Sequence, residues 1–234
     1  MDNYNTYEGH SPEAKEITTN VMMRKVYAWM FGALAVTGLI AYYASHSDVF
    51  MDWFCSTAWA PIVMIFAELG LVLGLTSAIN KLSPVVATLM FLTYAVVNGF
   101  TLSVIFFAYS VSAIATTFFV TAGTFGIMAL VGSFTNRDLS KIGSVCFFAL
   151  IGIIIATIVN LFLHNDVFDL IVSAIGVVVF MGLTAWDAQK IKDSLSGADY
   201  NAESAKYAVI GALSLYLDFI NIFLYLLRFF GRRN

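Results

Sequence analysis

The chain predicts an all-α fold: a polytopic membrane protein built as a bundle of seven transmembrane helices. Three observations carry that prediction. Of its 234 residues 60% are hydrophobic and only 12% are charged, against about 25% charged in an average soluble domain. The mean hydropathy is +0.83. Seven apolar stretches each reach the roughly 20 residues that a spanning helix needs, and the breaks between them are short, polar and rich in turn residues.

Taken in order, residues 1–21 are polar, with no apolar run followed by a small-residue cleavage site, and read as a cytoplasmic tail rather than a signal peptide. The spanning segments fall near 24–45, 57–79, 84–108, 112–134, 141–163, 167–191 and 206–230. They are punctuated by SHSDVFMD, NKLSP, YSVS, TNRDLSK, HND and KDSLSGADYNAE. No soluble domain fits between them, so residues 22–234 form one transmembrane domain. Net charge is −3, and the twelve Lys and Arg residues fall in short clusters, which excludes a nucleic-acid surface. Cys55 and Cys146 have no CxxC spacing, and Cys146 reads as a small core residue.

Lys and Arg set the orientation. Arg24 and Lys25 precede the first segment and Lys81 follows the second. Arg137 and Lys141 flank the fourth break, and Lys190, Lys192 and Lys206 the sixth. The remaining breaks and their edges hold Asp48, Asp52, Asp166 and Asp169 without a basic residue. That alternation places the N-terminus in the cytoplasm. Arg228, Arg232 and Arg233 at the far end run against the pattern and leave a re-entrant last segment as the alternative to seven crossings.

The last segment carries the functional signal. Tyr207, Gly211, Ser214, Asp218, Asn221, Tyr225 and Arg228 recur at intervals of three and four residues and share one helix face, while the rest is Leu, Ile, Phe and Val. Such a helix turns its polar stripe toward protein or a water-filled cavity, so it belongs at the centre of the bundle. Hydrogen bonding between helices accounts for Ser214 and Asn221 but poorly for Asp218, a carboxylate at membrane depth. The sixth segment repeats the pattern with Ser173, Gly176, Phe180, Thr184 and Asp187. Asp187 also has a plainer reading, as a boundary residue paired with Lys190 or Lys192. Glu68 lies near the midplane of the second segment, and pairing it with Arg228 would offset two desolvation costs. Asn98 and Thr101, with Thr157 and Asn160, are further candidates to line a cavity.

Two carboxyl groups at hydrogen-bonding distance cannot both ionise freely and titrate in coupled steps. Sharing a proton, Asp187 and Asp218 form a closed latch. Losing it, they repel each other or admit a cation whose hard charge suits carboxylate oxygens. Measured from Ala198, Asp187 is about eleven residues back and Asp218 about twenty forward, a depth difference of roughly 13 Å at helical rise. The two meet only if part of 200–210 lies outside the membrane or along its surface.

The segments VVVFMGLTAWDAQKIKD and GALSLYLDFINIFLYLLRFFG resemble the last two helices of the Bax inhibitor-1 family, nearest to its bacterial YccA branch. ELGLVLGLTSAINKLSP resembles that family's second helix, and the helix count agrees over residues 22–234. The resemblance implies a last helix wrapped by the other six and a pH-sensitive calcium leak governed by a di-aspartyl pair, at Asp187 and Asp218. It places the family's buried Glu–Arg contact on Glu68 and Arg228. It also implies a link to the membrane AAA protease FtsH, as a partner that restrains it. One departure is plain: calcium-leak relatives carry an arginine near the end of the second helix, where this chain has Thr76, Ser77, Ala78 and Ile79.

The expected function is thus a pH-gated calcium or cation leak of a bacterial inner membrane, with Ca²⁺ as the permeating ion held transiently by Asp187 and Asp218, no tightly bound cofactor and no catalysis. A non-transporting regulator of an FtsH-type protease is the rival. An intramembrane aspartyl protease also places one Asp on each of two helices, but its Gly-x-Gly-Asp is missing, since Leu215, Tyr216 and Leu217 precede Asp218. A zinc hydrolase lacks ligands, because His10, His46 and His164 lie in the tail and the breaks.

Overall fold

Four of the polar breaks in the sequence supply a side-chain helix cap among the described residues. Ser83 accepts a hydrogen bond from the Val86 amide ahead of Pro84, Ser110 from Ala113, and Asn165 from Phe168, satisfying amides that the first helical turn leaves open. In the HND break, His164 takes a left-handed conformation (φ 48°) that ends one helix just before Asn165 opens the next.

The computed structural model describes residues 12–196 and 202–231, which are almost wholly helical and include no β-strand. The helices are α1 (Pro12–Ser45), α2 (Asp48–Ser56), α3 (Ala60–Ala78), α4 (Pro84–Leu102), α5 (Ile105–Ala108), α6 (Val111–Phe134), α7 (Ser140–Leu163), α8 (Asp166–Leu195) and α9 (Ala202–Phe230). Seven of the spans are long and apolar enough to cross a membrane, the third being α4 with its continuation α5.

α9 is the most enclosed span, with 67% of its apolar window buried, against 11% for α3 and for α7. It packs on α1, α4, α6 and α8, while α3 packs chiefly on α4 and α7 on α8. The expected ring of six around the last helix is therefore an inner ring of four with two outer helices. Ala212, Leu215, Tyr216, Phe219 and Ile222 of α9 meet Val26 and Met30 of α1 and Phe91 of α4 in the buried core. Outward, α3 exposes Phe66 and Leu73, and α7 exposes Phe148, Ile155 and Phe162. Apolar surface this extensive is a lipid-facing surface, and the helices satisfy their own backbone groups against it.

Close contacts tighten the inner ring. A methyl group at Gly99 of α4 would stand 2.8 Å from the Thr37 carbonyl oxygen of α1, and the Thr37 hydroxyl donates to the Ala95 carbonyl at 2.8 Å. Small residues permit such approaches where lipid supplies no hydrophobic drive between helices.

Three expectations on the elements need correction, and a fourth, the full last crossing, is met. Residues 12–21 are helical, continuing α1 below its apolar part, because nothing from Pro12 onward breaks the helix. The break SHSDVFMD holds the start of α2, capped by Ser47 and burying Met51 and Phe54. The 84–108 segment bends at Ser103, whose hydroxyl turns back on the Phe100 carbonyl at 2.6 Å. The last segment is one uninterrupted helix rather than a re-entrant one. Arg232 and Arg233 lie outside the described residues.

Candidate functional site

The polar stripe of α9 faces a row of three cavities. The first, about 240 Å³, lies between the ends of α8 and α9 and is lined by Asp187, Lys190, Ser194, Tyr207 and Ser214. The second, about 540 Å³, is bounded by α7, α8 and α9, and takes in Asp187, Asp218, Ser214, Asn221 and Tyr225. Asp187, Lys190 and Ser214 line both, so the two adjoin. The third, about 310 Å³, lies at the far end of α9 and includes Asp169, Arg228, Thr157 and Asn160.

Asp187 and Asp218 thus come together. Asp218 is 5% exposed, with Oδ2 buried and without a hydrogen bond. Asp187 is the charged neighbour acting on it, and the Thr184 hydroxyl lies beside it. The Ser214 hydroxyl lies beside Asp187. The depth difficulty is resolved by the start of α9. Tyr207 shares a cavity with Ser194 and Leu195 at the end of α8, so the turn from Ala202 to Lys206 extends beyond that end. Counting inward from that level, eight residues reach Asp187 and seven reach Ser214, about 12 Å and 10 Å. Asp218 is one turn deeper. The 197–201 connection lies outside the described residues.

The plainer reading of Asp187 as a lysine partner does not hold among the described residues. The Lys192 ammonium donates to the Ser133 carbonyl at 2.7 Å, and that of Lys190 lies 4.9 Å from the centre of the Trp186 ring. Neither lysine forms an ion pair with Asp187, although the charge of Lys190 acts on it from the cavity rim.

The Glu68–Arg228 pair is not formed. The Arg228 guanidinium pairs with Asp169 at 3.7 Å, and Glu68 lies against α4, near Asn98 and Thr101, with Oε1 buried and without a hydrogen bond. Depth explains the difference. Arg228 is in the last turn of α9 and Asp169 in the first turn of its antiparallel neighbour α8, whereas Glu68 is mid-helix in α3, which packs chiefly on α4.

The other candidates divide between regions. Asn221 lines the diacid cavity, its amide donating to the Leu217 carbonyl at 2.7 Å. Tyr225 lines that cavity's far end. Thr157 and Asn160 line the third cavity, where the Asn160 side chain also accepts from the Asn165 amide at 3.2 Å. Asn98 lies on the opposite side of α9. It accepts from the Tyr216 hydroxyl at 3.0 Å, and that hydroxyl also meets Thr37 at 2.7 Å.

Sequence reasoning missed Asp169 as the partner of Arg228, although both flank the same side of the bundle in the predicted topology. It missed the Thr37–Tyr216–Asn98 cluster because Tyr216 falls in an apolar run. Among the described residues no three metal-ligating side chains cluster, so the two carboxylates are the acidic oxygens the cavity offers to a cation.

A family model described as Inhibitor of apoptosis-promoting Bax1 matches residues 19–234. The chain is 46% identical over 214 residues to Inner membrane protein YbhL of Escherichia coli K12, covering 91% of this chain and 92% of that protein. An uncharacterized protein of Borreliella burgdorferi is 41% identical over 217 residues, with 92% and 93% coverage. An uncharacterized protein of Rickettsia prowazekii, RP147, is 41% identical over 212 residues, with 91% and 89% coverage. Similarity to YbhL refines the branch expected from the sequence. Matched over nearly its whole length, this seven-span chain is a membrane protein that belongs to the Bax inhibitor-1 family.

Proposed function

We propose that the protein is a proton-controlled calcium leak of the bacterial inner membrane, with Asp187 and Asp218 as both proton sensor and cation waypoint. One observation supports this above the others: two membrane-embedded carboxyl groups from adjacent helices line one cavity, which adjoins a second at the Tyr207 end. A charged side chain at the centre of a spanning helix costs about 2.5–3.5 kcal/mol by insertion scales, a cost that packing alone gives no reason to bear.

In this reading a shared proton holds the two carboxyl groups together and closes the cavity. With both ionised, repulsion loosens the contact, and a divalent cation finds two hard oxygen donors. Ser214 and Thr184, beside the two acids, steady them as the proton leaves. The absence of the second-helix arginine leaves Lys190 as the cation nearest the pair, at the cavity rim. The Tyr207 end and the N-terminus face the cytoplasm, following the distribution of Lys and Arg, and no bond is made or broken.

The test is Ca²⁺ flux through purified full-length protein in liposomes across a pH series. Wild type passes Ca²⁺ in a pH-dependent way, and Asp218→Asn or Asp187→Asn flattens that dependence. No flux above empty liposomes sinks the leak and leaves the rival reading, a regulator that binds and restrains an FtsH-type membrane protease. Cleavage of a transmembrane reporter, lost in the same two variants, would instead establish a protease.

A further inference from the structure

We propose that Tyr225 is the gate at the far end of the pathway. The inference rests on the leak reading and adds to it the barrier that the diacid pair does not supply. The first and second cavities share three lining residues, whereas the second and third share none. Tyr225 lines the second cavity, and its hydroxyl lies beside Thr157, which lines the third. Its ring lies across Gly176 of α8, where a methyl group would stand 2.8 Å from three ring carbons. It also packs on Phe180 with centroids 5.9 Å apart. Its hydroxyl points toward Thr157 of α7, whose own oxygen is buried without a hydrogen bond and lines the third cavity.

The ring therefore bridges α7, α8 and α9 at one level, and Gly176 is the seat that lets it lie flat against α8. On the third-cavity side, the Arg228 guanidinium sits 5.7 Å from the ring centroid and is held by Asp169. Asp166 and Asp169 line the same cavity, so Arg228 gives this end no net positive charge, and Tyr225 is the physical obstruction.

Cysteine accessibility tests the gate without relying on transport. In a background with Cys55→Ser and Cys146→Ala, Asn221→Cys reports on the diacid cavity, and His164→Cys identifies the membrane face at the third cavity. Membrane-impermeant thiosulfonate reagents are applied to sealed vesicles of each orientation. From the face that labels His164→Cys, Asn221→Cys should react slowly, and at least tenfold faster once Tyr225→Ala is added. Gly176→Ala, which displaces the ring without deleting it, should accelerate labelling in the same direction. Equal labelling with and without Tyr225→Ala overturns the gate, as does fast labelling in the parent. If Tyr225→Ala fails to fold, the Gly176→Ala rate decides. Liposome flux separates the two readings: altered labelling with no Ca²⁺ flux removes the leak and keeps the gate, and wild-type flux with unaltered labelling removes only the gate.

Discussion

Asp218 and Tyr216 lie two residues apart on α9 and face different surroundings, and the contrast defines what each side chain is for. The Tyr216 hydroxyl donates to Asn98 and lies 2.7 Å from the Thr37 hydroxyl, and joins α1, α4 and α9. Asp218 keeps one oxygen buried and without a hydrogen bond, which costs about 1–3 kcal/mol in proteins. Asp218→Leu should therefore raise thermal stability in detergent, by about 1–3 kcal/mol, while abolishing pH-dependent flux. Tyr216→Phe should lower stability by about 1–3 kcal/mol by orphaning the Asn98 oxygen and leave the pH dependence of flux intact. Loss of stability in Asp218→Leu would mark the acid as a packing element instead. The sequence made Asp218 legible because a charge in an apolar run is conspicuous at any depth. It hid Tyr216, since a hydroxyl on an aromatic ring looks the same in a core as at an interface.

At the scale of elements, the site depends on how closely α6, α7 and α8 approach. A methyl group at Gly132 of α6 would meet the Ala185 carbonyl oxygen of α8, and one at Gly143 of α7 would meet the Trp186 ring. These contacts clamp α8 within two residues of Asp187. Gly132→Ala meets backbone, which cannot rotate away, so it should cost about 1–3 kcal/mol by overpacking. It should also alter the pH dependence of flux by displacing Asp187. An unshifted pH profile in a destabilised variant would detach the α6 contact from the site. Helix existence was legible from hydropathy because each span needs a long apolar run. The short α2 was not, because nine residues interrupted by Asp48 and Asp52 resemble a loop until Met51 and Phe54 find a core to enter. The Glu68–Arg228 pair failed for a related reason: helical periodicity gives the face and depth of a residue but does not say which helix lies opposite.

For the whole molecule, the proposed leak and its Tyr225 gate make the diacid cavity accessible from the Tyr207 end and closed toward Arg228. The site then stands in equilibrium with the ions of one side while the ring is shut. Protons and Ca²⁺ compete for the same two carboxylates, the groups facing them being Lys190, Ser214 and Thr184. Acidification protonates the pair and expels the cation, so flux should fall as pH falls. Linkage makes the effect reciprocal, since whatever protons do to Ca²⁺ affinity, Ca²⁺ does to proton affinity. The midpoint pH of flux should therefore move downward as Ca²⁺ rises above its dissociation constant. The slope is about one pH unit per tenfold in Ca²⁺ if one proton is exchanged, and about half a unit if two leave together. Flux titrations at several Ca²⁺ concentrations on the side facing the Tyr207 end measure it directly, and the slope reports whether the closed pair holds one proton or two. Asp187→Asn should bring any two-proton slope to the one-proton value, leaving a single titrating acid at the site. A midpoint that stays fixed over a hundredfold range of Ca²⁺ would mean that proton and cation bind at different places, and the two aspartates would then sense pH without touching the ion.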